Sequence, residues 1–126
     1  MPVNPLDAYQ NVERATLSGR ELEASVLTKA AMRLQDVRNN WNAPDLVTRL
    51  DEALRYNQKL WTYLQTELAR PENPLPDEIK ANLLSLSAFI DKRTFQLMAN
   101  PVAEQLDVLI NINKHIAAGL RGEANP

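Results

Sequence analysis

The stretch YNQKLWTYLQ, residues 56–65, shows no persistent alternation of apolar and polar residues, so a half-buried strand does not describe it. Leu46, Leu50, Leu54, Asn57, Trp61, Leu64 and Leu68 instead recur at steps of three and four, which is one face of a helix. The helix is predicted to run to about Ala69. Asn57 lies inside its apolar stripe, one turn before Trp61. A buried carboxamide costs about 1–3 kcal/mol unless its donors and acceptor find partners. Two readings follow. In the first, Asn57 bonds to a neighbouring element, either the backbone of the later proline-rich link or Asn113, which interrupts the stripe of the last helix in the same way; such a pair would fix helix register. In the second, Asn57 faces a groove and bonds to a bound peptide. The first is preferred. Trp61 is read as a core anchor, and Tyr56 and Tyr63, one on each side of the stripe, as candidates for a contact surface.

Prolines divide the rest of the chain into further helices. "NPLD" at 4–7 offers Asn4 as a cap, Pro5 in the first turn and Asp7 as a capping acid, predicting a short helix to about Thr16. Ser18 with Glu21 predicts a second start, followed by Leu22, Val26, Ala30, Leu34, Val37 and Trp41 as its inward stripe, ending near Asn39 or Asn40. "NAPD" at 42–45 predicts that Asn42 caps the third helix, the one opened above. "RPENPLP" at 70–76 forbids helix and predicts a stiff, extended connection. Pro76, Asp77 and Glu78 open a fourth helix with Ile79, Leu83, Leu86, Ile90, Thr94 and Leu97 inward, stopped by Asn100 and Pro101. The fifth carries Val102, Leu106, Leu109, Ile110, Asn113, Ile116 and Leu120, with Gly119 and Gly122 as stop signals. The expectation is an all-α fold: one compact helical bundle of four longer helices plus one short amino-terminal helix. Residues 1–126 form a single domain, with residues 1–4 and 121–126 as frayed tails.

The composition limits what the bundle can do. Hydrophobic residues make up 44% of the 126 and charged residues 24%, a globular balance with room for one core. No cysteine is present, which excludes disulfides and thiolate metal sites. Residues 20–118 contain no glycine, which removes Walker and dinucleotide loops. A lone histidine, His115, makes no multi-histidine metal site and reads as an ordinary surface or boundary residue. No cofactor is expected and no nucleophile with a base is assembled by spacing, so an enzyme is not expected. A net charge of −2 and a pI near 5.4 oppose general attraction to nucleic acid. With no apolar run long enough to span a bilayer and no signal-peptide pattern, membrane insertion is not expected and the cytoplasm is the expected location.

Asp51 with Arg55 and Asp45 with Arg49 read as solvated helix pairs, and Asp77 with Glu78 as helix-start acids. Ser85 and Ser87, inside a leucine-rich helix, permit close approach or bond back to the preceding turn. Beside the fourth helix's inward stripe runs a second ridge, Leu84, Ala88 and Phe95, which implies central burial or a surface for a partner.

"AYQNVERA" near the start, "NQKLWTYLQTEL", "PENPLPDEIKANLLSLSAFIDKRT" and "LININKHIAAGL", in that order, resemble the FlaF family of alphaproteobacterial flagellar regulators from about Ala8 to Leu120. The resemblance reaches Tyr9, Asn57, Leu60, Trp61, Asn73, Leu75, Pro76, Ser85, Leu86 and Asn113. It departs at Gln58, where the family pattern has a basic residue; Lys59 follows one place later. It implies a non-enzymatic protein that binds flagellin before export and couples its synthesis to assembly alongside FlbT. The expected mechanism is an apolar groove that masks an amphipathic, terminal helical segment of flagellin. The groove is expected between the third and fourth predicted helices, bordered by Tyr56, Leu60, Tyr63, Leu84, Ala88 and Phe95. The alternative is direct binding of flagellin message, for which Arg49, Arg55 and Lys59 with Tyr56 and Tyr63 supply a thin basic surface, or a scaffold for FlbT.

Overall fold

A computed structural model describes the backbone of residues 5–122 and the side chains of residues 20–122. Of the tails expected to fray, 1–4 and 121–126, residues 1–4 and 123–126 lie outside the described residues while Arg121 and Gly122 form a turn; the side chains of Asp7, Tyr9 and Ser18 also lie outside them. The architecture is a helical bundle: α1 (Pro5–Asn39), α2 (Leu46–Leu68), α3 (Asp77–Ala99), a 3-10 turn (Ala103–Gln105) and α4 (Leu106–Leu120). Two predicted helices are therefore one. α1 continues through Ser18 and Gly19, because a glycine inside a helix costs only about 1 kcal/mol, a penalty that continuous helix on both sides offsets.

The start of α2 also differs from the expectation. Asn42 does not cap it; residues 40–45 form successive turns, with the Ala43 N–H donating to the Asn40 carbonyl at 3.0 Å and that of Leu46 to Ala43 at 3.2 Å. The link after α2 is held by Asn73. Its Nδ2 donates to the Glu67 carbonyl at 3.1 Å, which also accepts from the Arg70 N–H at 3.3 Å, while its Oδ1 accepts from the Leu75 N–H at 3.0 Å. Pro76 then stands immediately before α3, with Asp77 and Glu78 in the first turn as expected. At the end of α4 only Gly122 takes a left-handed φ, 72°, and its N–H donates to Gly119.

The core lies between α1, α2 and α4, with Leu27, Leu34, Leu54, Trp61, Leu106 and Leu109 almost wholly buried. Ala24, Ala30 and Ala31 are fully buried on α1, and small residues there let α4 and α2 approach closely. α3 packs on α2, burying Ser87, Ile90, Thr94 and Leu97. Among the described residues it is the least enclosed helix: Ile79, expected inward, is 44% exposed, and Leu83 and Leu86 are half-buried.

Ion pairs tie the frame at its surface. Arg38 on α1 meets Asp107 on α4 at 3.2 Å, and Arg55 meets Asp51 at 2.8 Å within α2. Arg49 pairs with Asp36 across the α1–α2 turn rather than with Asp45, the partner expected from its spacing.

Candidate peptide-binding groove

Asn57 and Asn113 are both fully buried, and they face each other. The Asn113 Nδ2 donates to Asn57 Oδ1 at 2.6 Å, and Asn113 Oδ1 accepts from the Trp61 indole N–H at 2.9 Å. One carboxamide thus bridges a tryptophan and an asparagine one turn apart on α2. The Asn57 Nδ2 is buried without a partner. This chain of polar contacts closes the interior against α4, and Asn57 and Trp61 are buried within it.

The flanking tyrosines sit elsewhere. Tyr56, Leu60 and Tyr63 line a groove of about 380 Å³ together with Leu22, Val26, Glu23 and Lys59. Tyr63 is 54% and Leu22 63% exposed, while Leu60 forms the buried floor. Tyr56 is half-buried, with the Arg33 guanidinium 4.3 Å and the Lys29 ammonium 6.0 Å from its ring centroid. The other wall is therefore α1, and the expected groove between α2 and α3 is not what these side chains make. Helix geometry gives the reason. Gln65 reaches Ser87 and Asp91 on α3, and Tyr56, nine residues earlier at 100° per residue, points about 180° away. Leu84, Ala88 and Phe95 remain exposed on α3, Phe95 at 60%; they do not join the tyrosines.

Leu22, expected in the buried stripe of α1, lies on the surface instead. The buried stripe of α1 is Ala24, Leu27, Ala30, Ala31, Leu34 and Val37, so Ala30, Leu34 and Val37 stand as expected; Leu22 lies about 140° around the helix from Leu27. Ala24 and Ala31 carry little apolar weight, and the larger Leu22 drew the start of the stripe toward itself. Leu22, Val26, Lys29 and Arg33, spaced by four, three and four, make one ridge along the groove.

Glu23 belongs to both environments. At about 40° from Leu27 it falls within the buried sector, and it lines the groove as well as a smaller cavity bounded by Trp61, Leu68, Leu75 and Leu120. Burial raises the proton affinity of its carboxyl above the usual carboxylate range, and the nearby Glu67 raises it further, while Arg20 acts in the opposite sense.

Among the described residues no cluster of His, Asp and Glu suits a metal ion, and no helix is long and apolar enough to cross a membrane. Ser87 accepts from Gln65, and Thr94 bonds back to the Ile90 carbonyl at 2.7 Å, so the buried hydroxyls of α3 are engaged in packing. Ser85 and His115 are exposed.

No curated protein and no solved structure matches the chain. A family model described as flagellar protein FlaF matches residues 5–120, which spans α1 to α4 and includes the asparagine pair, the Asn73 link and both walls of the groove. The chain belongs to the FlaF family of flagellar proteins.

Proposed function

We propose that this flagellar protein is a non-enzymatic, cytoplasmic flagellin-binding export chaperone and regulator that masks an amphipathic helical segment of flagellin in the groove between α1 and α2. The observation that carries the reading is the groove itself, where Leu22, Val26, Tyr56, Leu60 and Tyr63 offer apolar and aromatic surface between two rigid helices. Its length along α2, from Tyr56 to Tyr63, is about 10 Å, which suits two turns of a helix presenting anchors at i, i+4 and i+7. Aromatic side chains with a polar tip are favoured at such interfaces. Ordering the cargo opposes association, so moderate affinity, compatible with release at the export apparatus, is expected.

Isothermal titration of the folded protein with the carboxyl-terminal helical segment of flagellin tests this. Saturable binding that is weakened about tenfold by Leu22→Asp or Tyr63→Asp, at an unchanged melting temperature, is the expected result. No heat and no fluorescence change from a folded protein would remove the reading.

A second reading, binding of flagellin message, is favoured by one observation: Lys29, Arg33, Arg55 and Lys59 surround Tyr56. Glu52 lies among them, and the Arg33 guanidinium covers the ring that a base would stack on. A gel shift with flagellin leader RNA separates the two, since only the RNA reading expects tight, salt-sensitive retardation.

A further inference from the structure

The ridge on α1 changes character along its length, from Leu22 and Val26 to Lys29 and Arg33. α1 and α2 run antiparallel, as the Arg49 pairing with Asp36 beside the turn and the neighbourhood of Glu23 and Glu67 at the far end require. The end of the groove nearer the turn therefore holds Lys29, Arg33 and Lys59 against Glu52, because Arg55 is already paired with Asp51. The far end holds Glu23 and Glu67, balanced by Arg20 and by Arg70, which is 3.6 Å from Glu67. One end is net basic. The other is close to neutral, with a half-buried carboxylate in the groove wall.

We propose that the groove has a direction: it takes an amphipathic helix whose carboxyl-terminal turn carries the negative charge, seated at Lys29, Arg33 and Lys59, with its amino terminus toward Glu23. This rests on the reading that the groove holds a helical segment of flagellin and adds the chemistry and polarity of that segment. Two effects align. Carboxylates in the last turn meet three cations, and the helix dipole places its negative end at the basic end and its positive end beside a carboxylate. The desolvated Glu23 carboxyl, further opposed by Glu67, gains a compensating positive neighbour from the incoming helix amino terminus. A helix lying the other way would bring its own negative end to Glu23 and leave the basic cluster facing its positive end.

One synthetic peptide with leucines at i, i+4 and i+7, glutamates in its last turn and blocked termini tests the direction on the full-length protein. A nitroxide at its carboxyl end is expected to broaden the amide signals of Lys29 and Arg33, and one at its amino end those of Leu22 and Glu23. Arg33→Glu with Lys59→Glu is expected to weaken binding about tenfold at low salt, with the loss shrinking as salt is added; circular dichroism establishes that this variant is folded. Reversed or equal broadening, or affinity indifferent to the double substitution, overturns the direction while leaving the groove as a binding site. Absence of binding by the folded wild-type protein overturns both.

Discussion

Asn113 donates to one side chain of α2 and accepts from another, so the three groups Trp61, Asn113 and Asn57 stand or fall together. Asn57→Ala strands the Asn113 amide in a dry interior, and a loss of about 1–3 kcal/mol is expected, read as a fall of roughly 5 °C in the melting temperature. Trp61→Phe keeps the ring volume nearly intact but removes the donor to Asn113. In a double-mutant cycle monitored by thermal denaturation, the two substitutions together should cost less than the sum of each alone, because both break one network. Strict additivity would show that the contacts are independent and that the shared carboxamide is of no energetic consequence. The asparagines were legible in the sequence as polar interruptions of apolar stripes, with Asn113 one of two partners open to Asn57; only the packed helices decide for Asn113 over the proline-rich link. That Trp61 shares the same amide was not legible: an indole donor has no preferred partner type, and only the packed distance identifies it.

At the scale of elements, the connections carry much of the order. Asn73 adds a second hydrogen bond to the Glu67 carbonyl at the end of α2 and turns the chain toward Leu75. Asn73→Ala removes both bonds, with an expected cost of about 1–2 kcal/mol and faster amide exchange confined to residues 70–76. Uniformly faster exchange across α2 and α3 would assign the residue a global role instead. The proline-rich link was readable because proline excludes helix locally. The boundaries of α1 were not, since Ser18 and Gly19 offer a start signal that the helix overrides. Caps are preferences of about 1 kcal/mol, and continuous helix on both sides outweighs one of them. Asn42 failed for a related reason: the turn at 40–45 satisfies its backbone groups with successive backbone bonds and leaves the cap position to Asp45.

The whole molecule sets the pH response. Glu23 binds its proton more tightly in the folded state than an ordinary glutamate does with its pKa of 4.5, so folding is least favoured when this group is ionised. Its contribution is fully present below about pH 4.5 and is lost as the pH rises through the folded value. Glu23→Gln is therefore expected to raise the melting temperature at pH 7, with the gain disappearing on acidification below that window. A gain independent of pH would point to packing rather than charge. Filling the groove with cargo should reduce the same gain if the helix amino terminus compensates the carboxylate.

By itself the sequence determined that the chain is helical, where prolines end its helices, which face of α2 is apolar, and which polar residues stand inside that face. These are local properties, set by backbone sterics and a 3.6-residue repeat. Tertiary structure decided which helix lies against which side of α2. Periodicity fixes the angle of a side chain around its own axis but not the neighbour it meets, so Gln65 facing α3 and Tyr56 facing α1 could be known only after the helices had packed. The groove belongs to α1 and α2 for that reason, and its basic end exists because antiparallel packing brings Lys29 and Arg33 beside Tyr56 and Lys59.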